Sequence, residues 1–101
     1  MATEKTRAAA DQAEQPAPTI GHIVHVEFAS HDQAPGSSLV CPAIVVAAWS
    51  AGLINCRIFQ DGPGDLLWLG SVERKDVAEA NGRWGVLDRR PRAVWFWPPR
   101  V

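Results

Sequence analysis

The sequence predicts a mainly β domain, a small five-stranded SH3-like barrel with one short helix. Short apolar stretches with strand-like alternation or β-branched residues are separated by turn residues. A chain of 101 residues is the length of one domain. The long first loop and the tight central hairpin favour the SH3-like type, and a five-stranded OB-like barrel is the alternative.

The first segment, residues 1–19, is rich in Ala, Glu, Gln and Pro and contains no large apolar side chain after Met1. Because it cannot bury enough apolar surface to offset the entropy of ordering, we expect a flexible tail, followed by the barrel domain at 20–101. Alternation from Ile20 to Phe28 predicts the first strand. Residues 30–39 have the composition of a loop.

The best hairpin joins an apolar run at 41–49 to a strand at 53–60 through the turn Ser50-Ala51-Gly52. If Trp49 pairs with Gly52, one face of this hairpin is entirely apolar and becomes core. The pairs expected on that face are Val45–Cys56, Ala43–Ile58 and Ala47–Ile54, and those expected on the opposite face are Ile44–Arg57 and Val46–Asn55.

Two consequences follow from this predicted register. Ile44 and Val46 are apolar residues on a mixed face, so they need a covering layer and are candidate interface residues. Cys41 lies far from Cys56, so we predict two free thiols, with Cys56 a small core residue.

The second half of the chain predicts two further strands and the helix. A turn at 61–64 precedes a strand at 65–72. A short helix at 73–80 has Ser71 as its candidate N-cap and ends at Asn81-Gly82. Residues 83–87 form a weak strand or loop, 88–92 a connector and 93–97 the last strand, which ends at Pro98-Pro99.

Tryptophan supplies most of the aromatic surface, with five Trp, three Phe and no Tyr. Trp95 and Trp97 share one face of the last strand, which is either core, a ligand platform or an oligomer interface. Exposed indoles beside guanidinium groups would bind a planar anion by stacking and by forked hydrogen bonds. The candidate ligand-binding residues are Trp68, Trp84, Trp95, Trp97, Arg57, Arg83, Arg89, Arg90 and Arg92.

Catalytic, metal and cofactor chemistry receive no support from the sequence. His22 and His25 point to opposite faces of one strand, and no Cys/His spacing matches a zinc site. Asp61 and Asp65 flank a turn and are expected to cap its amides. We therefore expect a protein that is not an enzyme and holds no cofactor or metal. Neither a secretory signal nor a membrane-spanning run is visible, so we expect a cytoplasmic protein.

Four motifs resemble a class of short proteins from tailed-phage and prophage genomes. They are Ile20-Gly21-His22-Ile23-Val24-His25, Pro42-Ala43-Ile44-Val45-Val46-Ala47-Ala48-Trp49, Phe59-Gln60-Asp61-Gly62 and Trp97-Pro98-Pro99-Arg100. The resemblance covers about residues 18–101, and the segment 73–92 departs from it. It implies a bacterial host cytoplasm as the setting and assigns no catalytic residue.

Two functions follow as hypotheses. The first is a non-enzymatic binding protein, expected to be a homo-oligomer, that sequesters a small anionic, nucleotide-like molecule such as a host defence signal on its Trp/Arg surface. The second is a structural or protein-interaction module, a virion accessory or host-factor inhibitor, that uses exposed Trp, Ile and Val side chains. Nucleic-acid binding ranks third, because a net charge of −1 disfavours tight phosphate binding.

Overall fold

A computed structural model describes residues 15–28, 40–60, 64, 66–84 and 93–98 of the chain. The strands close into a barrel in the order β1-β2-β3-β4-β5, with β5 returning to pair with β1. The elements are β1 (Ile23–Phe28), β2 (Val40–Ala48), β3 (Leu53–Ile58), β4 (Leu67–Arg74), α1 (Lys75–Ala80) and β5 (Ala93–Phe96). The predicted mainly β fold, a small five-stranded barrel with one short helix, is confirmed.

The core fills the inside of the barrel, because alternate residues of each strand point inward. Trp95, Ile54 and Ile58 are among its largest fully buried side chains. Cys41 and Cys56 are both buried and form no disulfide, so the prediction of free thiols is confirmed. Neighbouring strands run antiparallel except β4 and β5, which pair in parallel with α1 in their connection.

The central hairpin has the predicted register only at the end distant from its turn. Val45–Cys56, Ala43–Ile58 and Ile44–Arg57 are partners, as predicted. A bulge after Val45 then places Ala47 opposite Asn55 and Ala48 opposite Ile54, so the predicted pairs Ala47–Ile54 and Val46–Asn55 are wrong.

The physical reason for this shift lies at the turn. The carbonyl of Leu53 accepts the N–H groups of both Trp49 and Ser50, at 2.8 and 3.3 Å. The turn end of the hairpin is therefore closed in a register that differs by one residue from the Val45–Cys56 end. Val46 absorbs the extra residue as a β-bulge.

The first strand begins later than its alternation predicts. Gly21 has a positive φ of 96°, and its N–H bonds to the carbonyl of Val45 at 2.9 Å, so residues 20 and 21 form a turn ahead of β1. Pro18 is buried, and the Thr19 N–H donates to Nδ1 of His22 at 3.0 Å. The barrel therefore buries Pro18, which precedes the predicted start of the domain at residue 20.

The junction of β4 and α1 also differs from the prediction. Ser71 is not an N-cap: it lies inside β4 with a positive φ of 55°. The helix begins two residues later than predicted, after an extended Arg74 that makes no side-chain capping bond. Its predicted end at Asn81-Gly82 is confirmed, with the Asn81 N–H donating to the carbonyl of Val77 at 3.1 Å. The predicted loop at 30–39 and connector at 88–92 lie outside the described residues, as do residues 1–14 of the predicted tail, 61–63 of the predicted turn at 61–64 and 85–87 of the weak strand or loop at 83–87.

Candidate functional site

Of the three alternatives for the face of Trp95 and Trp97, the structure shows the core, so these two indoles form no exposed platform. Trp95 is fully buried and Trp97 almost so, and their rings meet edge to face at 5.4 Å. Trp95 Nε1 donates to the carbonyl of Gly52 at 3.0 Å. The opposite face of β5 is covered as well: Val94 is fully buried, and Lys75 Nζ lies 5.7 Å from the centre of the half-buried Phe96 ring.

The remaining predicted ligand residues divide into three groups. Arg83 lies after α1, where its guanidinium donates two hydrogen bonds to Glu73, of 2.8 and 2.6 Å. Trp84 follows it and is half-buried, with its N–H bonded to the carbonyl of Ala78. Arg89, Arg90 and Arg92 lie outside the described residues. Among the described candidates, Trp68 and Arg57 are the pair from different strands that the fold brings together, directly opposite each other on β4 and β3.

Those two residues belong to a continuous row across four strands. Ile23 is the partner of Ile44, Ile44 of Arg57, and Arg57 of Trp68. Their chain neighbours Val24, Val45, Cys56, Ile58 and Leu69 are buried, so the row points out of the barrel. Trp68 exposes 51% of its surface and Ile23 exposes 48%, while Ile44 is half-buried. We call Ile23, Ile44, Arg57 and Trp68 the outward row.

A second line of apolar residues runs beside the outward row. Pro42 is exposed, and its carbonyl accepts the N–H of Phe59 at 2.9 Å. Phe59 and Leu66 each lie one residue beyond the paired Ile58 and Leu67, and both are exposed. The outward row, this second line, the bulged Val46, Asn55 and Trp49 together form what we call the outer face.

The Trp68 indole packs against its own strand at Gly70, where no side chain occupies the space. A Cβ added to Gly70 would lie 2.6 Å from Cη2 and 3.2 Å from Cζ2 of the indole. The six-membered part of the Trp68 ring therefore rests on the Gly70 backbone, a position that any larger residue would fill. A glycine covered by an aromatic neighbour is a known device of β-sheets. It leaves the rest of the indole facing solvent.

Trp49 is held by Asn55, which also stabilises the irregular part of β4. Asn55 Oδ1 accepts Trp49 Nε1–H at 3.0 Å and the Ser71 N–H at 2.8 Å. Trp49 exposes 64% of its surface, yet its one polar group already has a protein partner. The same oxygen satisfies the amide of Ser71, the residue with the left-handed backbone. One side chain thus connects Trp49 to an irregular part of β4 beside Gly70, where the pairing with β3 shifts by one residue between Ile54–Val72 and Cys56–Leu69.

Arg57 is the charged residue of the outer face. It is exposed, and among the described residues it makes neither an ion pair nor a side-chain hydrogen bond. The other lysine and arginine side chains that the structure describes are engaged: Arg74 with Asp76, Lys75 with Glu27, and Arg83 with Glu73. The outer face therefore combines a broad apolar surface with one available guanidinium.

Nucleophilic and metal chemistry find no site in the described part of the chain. Burial raises the pKa of the Cys56 thiol to about 11, so this sulfur is a neutral core atom at physiological pH. No three His, Cys, Asp or Glu side chains among these residues are grouped to hold a metal ion. His22 and His25 make edge contacts with Trp97 and Phe96, at ring distances of 5.2 and 5.5 Å.

Several residues of the outer face were missed by sequence reasoning. The predicted register already placed Ile44 opposite Arg57, but Trp68, Ile23 and Phe59 were not connected to them. Two local signals mark the site: a glycine two residues after a tryptophan in a strand, and an asparagine in a mostly apolar strand. Neither signal identifies the partner of Asn55, because Ser71 lies 16 residues further along the chain.

Comparison with known proteins adds no relative: no family model, curated protein or solved structure matches the chain. Among the helices in the described ranges, none has both the length and the apolar character needed to cross a membrane.

Proposed function

We propose that this protein is a non-enzymatic interaction module that binds a partner protein through its outer face. The observation that carries the proposal is the outward row, in which partly exposed apolar side chains from β1, β2 and β4 lie in line with Arg57 of β3, an arginine without an ion pair among the described residues. Contiguous exposed apolar surface of this kind is typical of protein interfaces. Tryptophan and arginine are also the residues most enriched among interface hot spots.

The placement of Ile44 and Val46 supports the same function. Both are half-buried, and Ile44 lies between Ile23 and Arg57 in the outward row. A partner that covers the outer face would remove these apolar atoms from water, which favours binding by about 25 cal/mol for each Å² buried. The phage setting implied by the resemblance agrees with a module that acts on a virion or host protein.

Binding of a nucleotide-like anion is the second candidate, favoured by one observation. Trp68 and Arg57 lie directly opposite each other on adjacent strands, so a base could stack on the indole while the guanidinium holds a phosphate. This candidate uses only two residues of the outer face. It leaves the exposure of Ile23, Phe59 and Leu66 without a role.

Site-specific photo-crosslinking tests the proposed function. A benzoylphenylalanine replaces Ile44 on the outer face or, as the matched control, Ala80 at the exposed end of α1. In a lysate of the cells that encode the protein, we expect a defined protein to crosslink from position 44 and not from position 80. The purified partner should then bind the wild-type chain, and Trp68→Ala should weaken that binding by about 30-fold, since hot-spot tryptophans contribute about 2 kcal/mol or more.

Two results contradict the proposal. One is equal crosslinking from positions 44 and 80. The other is a purified partner whose affinity is unchanged by Trp68→Ala, provided that far-UV circular dichroism shows the variant to be folded. A response of Trp68 to nucleoside phosphates, lost in Arg57→Gln, would favour the second candidate instead.

A further inference from the structure

We propose that an unpaired edge of β4 binds the same edge of a second copy of this chain, so that the protein forms a two-fold symmetric dimer. The inference goes beyond the proposed function, since it concerns backbone groups along one side of β4 and a partner identical to the chain itself. Three observations carry it: a run of unpaired backbone groups, a residue content that does not prevent self-pairing, and a register in which two copies satisfy each other.

The barrel closes between β4 and β5 through a short contact. Among the described residues, these two strands pair at Glu73–Val94 and Arg74–Trp95 alone. The earlier part of β4 pairs with β3 on one side and has no described strand on the other side. We call residues 66–70 the free edge, because a further strand can add to such an edge.

The direction of the backbone groups in β4 follows from the neighbouring ladder. Successive residues of an antiparallel strand direct their N–H and C=O groups alternately to the strands on their two sides. The Phe59 N–H donates to the Pro42 carbonyl of β2 at 2.9 Å, so the backbone groups of Ile58 point the other way, to β4. Its partner Leu67 therefore bonds to β3, and Trp68 directs its N–H and C=O groups to the free edge.

By the same alternation, Leu66, Trp68 and Gly70 all direct their backbone groups to the free edge. The Ser71 N–H, which points to β3 and donates to Asn55 at 2.8 Å, agrees with this alternation. In the described part of the chain, no backbone N–H or C=O group of the three residues has a hydrogen-bond partner. All three residues are exposed, so a second strand can reach them.

The residues of the free edge do not prevent self-pairing. Natural proteins protect an edge strand from other strands with charged residues or proline. The free edge consists of Leu66-Leu67-Trp68-Leu69-Gly70 and contains neither. Because every copy of the chain carries the same unprotected edge, a second copy meets it whenever the protein is present. We therefore assign the free edge to a second copy and not to a strand of another protein.

An antiparallel pair centred on Trp68 satisfies all of these groups. Trp68 then lies opposite Trp68 of the second copy, and Leu66 of each copy lies opposite Gly70 of the other. Each opposed pair exchanges two N–H···O bonds, which gives about six across the two-fold axis. Leu66 of one copy also meets the Trp68 indole that lies over Gly70 of the other, so two exposed apolar side chains leave the water.

The charge of Arg57 does not oppose this arrangement. Arg57 lies opposite Trp68 on β3, one strand away from the free edge, so the two Arg57 Cα atoms are three strand spacings apart, about 14 Å. Repulsion between exposed charges at that distance is largely screened at physiological ionic strength, where the Debye length is about 8 Å. The dimer therefore joins two outward rows end to end without bringing their charges into contact.

Sedimentation velocity of the full chain measures the association. The mass of the wild type should rise with concentration towards twice the 11.0 kDa of one chain. Trp68→Lys places two like charges opposite each other at the axis and should weaken dimerisation by at least about tenfold. The matched control Trp49→Lys makes the same change at an exposed indole outside the free edge and should leave the association unchanged. Circular dichroism verifies that both variants are folded.

Cysteine crosslinking tests the register. A disulfide needs Cα atoms within about 7 Å of each other, and opposed residues that exchange hydrogen bonds in an antiparallel pair are about 5.5 Å apart. Trp68→Cys should therefore form an intermolecular disulfide on mild oxidation, because position 68 faces itself across the axis. In the matched control Leu66→Cys, the two introduced thiols are about 14 Å apart and should stay reduced. The native Cys41 and Cys56 are buried.

Three outcomes overturn the inference. A wild-type chain that keeps a mass of 11.0 kDa at every concentration forms no dimer. A dimer that Trp68→Lys weakens no more than Trp49→Lys does, or one that crosslinks equally from positions 66 and 68, is built on another surface. None of these results decides the proposed function, which depends on the capture of a different protein from position 44. Conversely, a dimer with the expected register and no captured partner supports this inference and leaves the proposed function without support.

Discussion

Asn55 is the residue whose replacement most directly tests how the outer face is held in place. Its Oδ1 accepts hydrogen bonds from Ser71, at 2.8 Å, and from Trp49, at 3.0 Å. A hydrogen bond contributes about 0.5–1.5 kcal/mol to stability, and here water can partly replace Oδ1 because both donor residues are exposed. We therefore expect Asn55→Ala to lower the free energy of unfolding by about 1–2 kcal/mol.

The assay is urea unfolding followed by far-UV circular dichroism, which does not depend on the emission of Trp49. For a domain of this size, a loss of about 1.5 kcal/mol also lowers Tm by about 6–12 °C. The matched variant Asn55→Asp keeps an oxygen acceptor at the same position and should remain within about 0.5 kcal/mol of the wild type at neutral pH. In Asn55→Ala, the indole N–H signal of Trp49 should move to the position of a solvent-exposed indole.

Two results would refute this reasoning. The first is an Asn55→Ala variant whose unfolding free energy lies within about 0.3 kcal/mol of the wild type, which is the usual error of such contact arguments. The second is an Asn55→Asp variant destabilised as much as Asn55→Ala. In that case the effect would come from the amide nitrogen or from packing, and the two bonds to Oδ1 would not be its cause.

Three further predictions concern the core and β4. Trp95→Phe should cost about 2–3 kcal/mol in urea unfolding, because it removes ring volume from a fully buried site and the bond to the Gly52 carbonyl. Burial raises the pKa of Cys56 from 9.0 to about 11, so the folded state favours the neutral thiol. The resulting stabilisation is complete below about pH 9, is lost as pH rises to about 11, and amounts to at most about 3 kcal/mol. Ser71→Gly should stabilise the protein by up to about 1 kcal/mol, because glycine adopts a φ of 55° without strain.

Each of these predictions has a control within the chain. Cys56→Ala should show a smaller loss of stability than the wild type between pH 9 and pH 11, and parallel curves would contradict the shifted pKa. For Ser71→Gly the control is Ser50→Gly, which should destabilise, because Ser50 Oγ accepts the N–H groups of Gly52 and Leu53 at 3.2 and 3.1 Å. If Trp95→Phe lowered the free energy of unfolding by less than about 1 kcal/mol, the argument from the buried indole would be contradicted.

Alternation along the strands predicted most of the fold, because it depends on local geometry alone. It identified the inward residues Ala43, Val45, Cys56 and Ile58. The stop signal Asn81-Gly82, and not alternation, located the end of the short helix. Alternation failed where a contact with another part of the chain determines the backbone conformation. The bulge at Val46 arises from the closure of the turn on Leu53, and the left-handed Ser71 is supported by a side chain from another strand.

The candidate site was predicted less well than the fold, for a physical reason visible at β5. The sequence argument assumed that one face of this strand is exposed, and Trp95 and Trp97 were candidates for that face. In the barrel, the core covers one face and the region of α1 covers the other, so Val94 and Trp95 are both fully buried. Strand periodicity cannot distinguish a strand buried on both faces from a half-exposed one, because the covering helix is a tertiary contact.

The irregular part of β4 is best explained by the two indoles that it supports. A glycine in a strand weakens it, and the left-handed backbone of the serine beside it adds strain, so these two positions lower the stability of β4. Gly70 provides the surface on which Trp68 rests, and the Ser71 N–H shares Asn55 with Trp49. The two destabilising positions, Gly70 and Ser71, are therefore the positions that fix the orientation of two exposed indoles. If these indoles bind a partner, changes that move either indole should reduce binding more than they reduce stability.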